Sequence, residues 1–169
     1  QKINCMPAEG AFLIGNKEYG FNAKNALATL DWGRGVWEYR SFWNWASASW
    51  FLPDGTTFGL NLGKGFGDLS RATENCFFIN GVINKLEDVE FLYDNENFLK
   101  PWRFKSSDGR LELLFEPFFD RVARSNLIII ASEVHQLFGR YSGFVIDDRK
   151  KKINIKNIIG WAEEHRARW

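Results

Sequence analysis

Apolar and polar side chains alternate along much of this chain, and few windows show the three-to-four spacing of an amphipathic helix. A period of two predicts strands at residues 26–32, 41–50, 56–62, 75–79, 82–86, 89–93, 102–106 and 111–117. Two longer strands are predicted at 126–138 and 153–168, with 143–146 continuing the first. Asp54-Gly55, Asn80-Gly81 and Asp108-Gly109 fall between successive strands, where both residues of each pair can take the positive φ of a type I′ turn. The stretch from Asp147 to Lys150 reads as a fourth hairpin loop. One short helix is allowed between Gly33 and Arg40, where the pattern is ambiguous. Residues 1–24, with Pro7, Gly10, Gly15 and Gly20, read as a leading segment with a short strand around residues 12–14. The elements together predict an all-β fold: an antiparallel barrel or sandwich of about 8–10 strands. Residues 25–169 are expected to form a single β-barrel-like domain.

The same period assigns faces. On the strand at 41–50, Trp43, Trp45, Ser47 and Ser49 share one side. Two indoles beside two hydroxyls suit the wall of a cavity, although ordinary core packing explains the pattern equally well. Composition sharpens the choice. The chain holds 8 Trp, 16 Phe and 4 Tyr, and this excess of large rings points to a binding cavity or a stacking platform beyond core needs. Net charge is +1, which gives no broad attraction for nucleic acid or an anionic membrane. The basic run from Arg149 to Lys152 follows Asp147 and Asp148 and reads as a solvated turn. Cys5 and Cys76 form no CxxC pair and no Asn-x-Ser/Thr acceptor occurs, so a reducing, cytoplasmic location is expected. The longest apolar run, from Leu127 to Ala131, is too short to span a bilayer. The chain starts at Gln1 rather than Met and reads as a fragment, so the absence of a targeting signal carries no weight.

Few motifs carry chemistry. The Gly-rich stretch from Gly59 to Gly67 has the wrong spacing for a phosphate loop and lacks the Ser or Thr after Lys64. It reads as a strand running into a flexible loop. The only two histidines each follow a glutamate by two residues, in Glu133-Val134-His135 and Glu163-Glu164-His165. On a strand, each Glu and its His point the same way. If the last two strands pair so that partner numbers sum to about 298, cross-strand neighbours bring Glu133 opposite His165 and Glu163 opposite His135. Such a four-residue cluster would suit proton transfer or a metal. Bulges at Gly139 or Gly143 would change the parity and separate the two sets. The sequence identifies no further convergent ligand, so no metal and no cofactor is expected. Asp31 lies in Asp31-Trp32-Gly33-Arg34-Gly35. Turned inward, it would be an acid with a raised pKa unless Arg34 or Arg121 paired with it. Asp120-Arg121 has the same two readings. No GxSxG context supports a serine nucleophile.

These residues, taken in order, resemble a known family. They are Asp31 to Gly35, Trp43 to Ser47, Gly59 to Gly63, Thr73-Glu74-Asn75, Pro101-Trp102-Arg103, Asp120-Arg121, Glu133 to Gln136 with Phe138-Gly139, and Glu163 to Trp169. From about Asn25 to Trp169 the chain resembles the C-terminal half of the bacterial family known as domain of unknown function 2804. That family is more distantly similar to the lipocalin-like proteins that include carotenoid hydratases. The resemblance implies a lipocalin-like fold, a hydrophobic cavity and an N-terminal half as partner. It carries no catalytic residue across.

The leading functional expectation is therefore a lipid, isoprenoid or similar apolar molecule held in an aromatic-lined cavity. Trp32, Trp43, Trp45 and Trp102 are the wall candidates, with Arg34 and Arg121 as polar contacts. A hydratase- or isomerase-like enzyme is the alternative, with Asp31, Glu133, His135 and His165 as the candidate catalytic groups. Carbohydrate binding on exposed, coplanar indoles and a structural half-domain packing on the N-terminal half are further readings.

Overall fold

The computed structural model describes residues 1–169 and contains thirteen strands and no helix. Nine strands form one antiparallel sheet, the curled body of the molecule. They are β5 (Arg40–Phe51), β6 (Thr57–Lys64), β7 (Cys76–Ile79), β8 (Val82–Lys85), β9 (Val89–Leu92), β10 (Trp102–Ser106), β11 (Leu111–Leu127), β12 (Ile130–Ile146) and β13 (Lys152–Arg168). Their spatial order is β8-β7-β6-β5-β13-β12-β11-β10-β9. Asp54-Gly55, Asn80-Gly81 and Asp108-Gly109 all turn hairpins, with positive φ at Gly55, Asn80, Gly81 and Gly109. The sheet curls until β9, at one edge, touches β6 near the other, giving half-barrel character.

One face of the curl holds the core. Trp102, Tyr141, Phe58, Phe77, Phe104 and Phe115 are fully buried there and form one cluster with Leu60, Leu62 and Leu137. Trp102 stacks on Tyr93 at 3.9 Å between ring centroids, and its indole N–H donates to the Phe98 carbonyl. The interior of the curl is therefore filled with rings. Room for them comes from an absent pair of side chains. Gly139 and Gly160 lie directly opposite each other, and a Cβ on either would come within 2.8 Å of the Phe115 or Tyr141 ring.

Two bulges decide which residues reach this inner face. Around Phe118 the β11 register shifts by one, so Asp120 turns inward while Phe118 and Phe119 remain exposed. The β12–β13 pairing has partner numbers summing to 298 near its turn, as in Gly143↔Ile155, and to 299 beyond it, as in Tyr141↔Ile158. The extra residue lies at Lys156–Asn157, where Asn157 takes φ 55° and its N–H is held by the Ser142 hydroxyl. A register of 298 along the whole hairpin, the condition for bringing the two histidine pairs together, therefore does not hold beyond the bulge. Glu133 faces Arg166, His135 faces Glu164, and His165 faces Val134.

Four further strands lie outside the main sheet. The leading segment holds β1 (Lys2–Pro7), β2 (Gly10–Ile14) and β3 (Lys17–Phe21), where only the second was expected. The β2 and β3 strands make an exposed hairpin. Strand β1 pairs with β4 (Leu27–Asp31), and this ribbon lies on the outer face of the sheet. Asn4 anchors it by donating to Ser47 Oγ and to the carbonyls of Ala48 and Leu60. Gly59 permits the approach, since a Cβ there would meet Cys5 Sγ at 2.9 Å. Gly63 makes way in the same manner for the Glu74 carboxylate. The Gly-rich stretch is therefore a strand whose glycines admit neighbouring chain.

Two expectations are corrected. The segment between Gly33 and Arg40, where a short helix was allowed, is a loop, with Gly33 and Gly35 interrupting any helical turn. The strand predicted to start at 126 is instead the end of β11, and the chain reverses at Ile128 and Ile129. The Leu-Ile-Ile-Ile run carries no turn residue to announce it.

Replacing Gly139 by Ala should cost about 1–3 kcal/mol, because the inner rings cannot yield without leaving their rotamers. Urea unfolding of the variant checks this, and an unchanged midpoint would show that the rings have slack.

Candidate functional site

The outer face carries a cavity of about 930 Å³ between the sheet, the β1–β4 ribbon and the loops that follow β4 and β6. Strands β5 and β13 form its floor. Trp43 lies opposite His165 and Trp45 opposite Glu163, so one strand contributes rings and the other titratable groups. Trp32 and Trp37 come from the loop after β4, and Phe66 from the loop after β6. Phe66 packs between Trp37, at 4.8 Å, and Trp43, at 5.5 Å. Trp45 is fixed by its N–H bond to Asn61 Oδ1 at 2.8 Å and by the Lys2 ammonium 4.0 Å from its ring.

Polar groups are concentrated at the floor. Glu163 is buried, accepting hydrogen bonds from Trp43 Nε1 and Gln136 Nε2, both at 3.2 Å. Burial raises its carboxyl above the ordinary value, and those two hydrogen bonds with the nearby Lys2 only partly offset this. His165 packs against Trp43 at 4.1 Å, and one ring nitrogen lies 2.8 Å from Ser132 Oγ. Its burial lowers the imidazole pKa. Burial thus shifts the two groups in opposite directions, the carboxyl up and the imidazole down, two residues apart on the same face. At the rim, Lys2 pairs with Asp31 at 2.7 Å and approaches Glu74 at 3.9 Å.

The structure divides the residues singled out in the sequence. Asp31, Trp32, Trp43, Trp45 and His165 line the cavity. Asp31 is partnered by Lys2 and not by Arg34 or Arg121. Arg34 is exposed in its loop, and Arg121 is exposed on β11 opposite Gln136; neither lines the cavity. Trp102 belongs to the inner core. Glu133 and His135 lie on the inner face, because the Lys156–Asn157 bulge separates them from Glu163 and His165. There His135 is held 2.7 Å from Asp120 and stacks on Phe98 at 4.1 Å. No group of three His, Cys, Asp or Glu side chains is placed to hold a metal ion. Sequence reasoning missed Lys2, Trp37, Phe66 and Glu74, which reach the floor from loops and from β1. Glu163 was visible as the partner of His165, but its burial was not.

Glu163 makes a test of this geometry possible. A carboxyl raised in the folded state contributes stability that is complete below its unfolded pKa and is lost as pH rises through the folded one. Glu163→Gln should therefore lose less stability than the parent protein between acid and neutral pH. Urea midpoints measured across that range check the sign, and parallel curves for the two proteins would contradict the burial of an acid.

No helix is long and apolar enough to cross a membrane. No curated protein and no solved structure matches the chain. Among protein families, domain of unknown function 2804 matches residues 1–169, including the leading strands that build the cavity's roof. The chain is a member of the DUF2804 family.

Proposed function

We propose that the protein binds an apolar small molecule with one polar end, of lipid or isoprenoid character, in the outer-face cavity. The observation that carries this reading is the convergence of Trp32, Trp37, Trp43, Trp45 and Phe66 on a space of about 930 Å³ with one buried acid at its floor. That size suits a small-molecule site, and such sites are mostly apolar with a few placed polar groups. The apolar body would lie against the indoles. The polar end would meet Glu163 and His165, whose hydrogen bonds to Trp43, Gln136 and Ser132 hold them in place.

The second reading is a hydratase- or isomerase-like enzyme, favoured by the opposite pKa shifts of Glu163 and His165. In a hydration, Glu163 would give its proton to one carbon of a double bond. Water would add to the other carbon and lose its proton to neutral His165.

Tryptophan fluorescence titrated with farnesol tests binding. Trp43→Ala should weaken it about tenfold or more, given the area of one indole, while Trp102→Phe should leave it nearly unchanged. Absence of saturable quenching, or equal loss in both variants, would contradict the site. For the enzyme reading, turnover of an isoprenoid alkene should fall by about 10²–10⁴ in Glu163→Gln or His165→Ala. The rate should be bell-shaped in pH, because the step needs a proton on Glu163 and none on His165. A pH-independent rate would remove both groups from the chemistry.

A further inference from the structure

The β11–β12 turn projects four apolar side chains into solvent. Leu127, Ile128, Ile129 and Ile130 are 70%, 89%, 67% and 46% exposed. The turn is also strained. Ile128 takes φ 64° while the Ile129 N–H bonds back to the Leu127 carbonyl at 2.7 Å, a tight reversal that β-branched residues disfavour. Asn or Gly would fit that conformation better and would be more soluble. A strained residue that is also exposed and apolar has no use for folding, which points to a use outside the chain.

The surroundings indicate what that use is. A groove of about 690 Å³ on the inner face, at the base of this turn, is lined by Arg40, Arg124, Arg166 and Arg168; Arg124 pairs with Glu133 at 2.9 Å and Arg166 with Glu164 at 2.7 Å, while Arg40 and Arg168 form no ion pair. Arg40 and Arg168 are direct cross-strand partners, a like-charge arrangement that sheets avoid. Arg168 donates to the Ile128 carbonyl at 2.5 Å, yet its buried Nε has no acceptor. Two amphipathic rings complete the patch. The Tyr39 hydroxyl donates to the Ile129 carbonyl at 3.0 Å, the Trp169 backbone N–H donates to the Tyr39 carbonyl at 3.0 Å, and the Trp169 indole N–H donates to Ser41 Oγ at 3.3 Å. Apolar tip, interfacial Tyr and Trp, and arginines without enough acids follow one another along this end of the molecule.

We propose that this end docks on an anionic lipid surface, the isoleucine tip entering the bilayer interface and the groove arginines engaging lipid phosphates. Short apolar segments bind membranes through buried area, and neighbouring basic groups add attraction to anionic headgroups. The net charge of +1 does not oppose this, because the arginines act within a Debye length of the surface. Trp169 also lines the tryptophan cavity, so docking would bring the cavity rim to the bilayer. The docking itself does not depend on any occupant of that cavity.

Flotation with vesicles tests the proposal, comparing phosphatidylcholine alone with phosphatidylcholine mixed with phosphatidylglycerol. The protein should float with the anionic vesicles, and less so as salt rises. The double variant Ile128→Asn/Ile129→Ser, whose Asn suits the positive φ, should keep its thermal unfolding midpoint and bind about tenfold or more weakly. Arg40→Gln and Arg168→Gln should each weaken binding about fivefold on anionic vesicles. Failure of the parent protein to float, or equal flotation of the tip variant, overturns the proposal. So does saturable binding of inorganic phosphate without flotation, which would assign the arginines to a free anion. Farnesol titration of the tip variant reads the cavity separately.

Discussion

Alternation of side chains across a paired strand is the constraint on which the whole molecule depends. Every residue of β5, β12 and β13 must point to one of two faces, and a single extra residue exchanges them for everything beyond it. The bulge at Lys156–Asn157 performs that exchange between the core residues Ile153 and Ile155 on one side and Ile158, Gly160 and Ala162 on the other. Without it, Glu163 and His165 would turn to the inner face, into the positions that Glu164 and Arg166 now take. With it, they reach the outer face beside Trp43 and Trp45. The bulge at Phe118 does the reverse for Asp120, bringing it inward to His135.

The aromatic residues are sorted by the same parity. Inside the curl, Phe58, Phe77, Phe104, Phe115, Trp102 and Tyr141 pack without a cavity for a guest, and two opposed glycines make the packing possible. Outside, the indoles surround space, because the ribbon of β1 and β4 and the loops stand off from the floor except where Asn4 ties them down. The packed aromatic core and the proposed small-molecule site thus lie on opposite sides of one sheet. Changes made on one side need not disturb the other.

Much of this was legible in the sequence. The period of two gave the bounds of β5, β6, β7 and β10 to within two residues, and it placed Trp43 and Trp45 together. Asn-Gly and Asp-Gly marked the turns because positive φ demands those residue types. What escaped notice had no such demand. A bulge at Phe118 or Lys156 needs no particular side chain, so the sequence leaves open whether the last hairpin brings the two histidine pairs together, and the bulge at Lys156–Asn157 separates them. The reversal at Ile128 is made by a residue that disfavours it. Strand β1 finds its partner only after an intervening hairpin, which local periodicity does not reveal.

The central claim is that guest molecules are held on the outer face and not inside the curled sheet. Crystals of the protein soaked with a bromine-labelled long-chain alcohol would locate the ligand by its anomalous scattering. The account predicts a bromine peak among Trp32, Trp43 and Trp45, with the hydroxyl directed at Glu163 and His165. A peak beside Trp102 and Tyr141, or density only at lattice contacts, would contradict it.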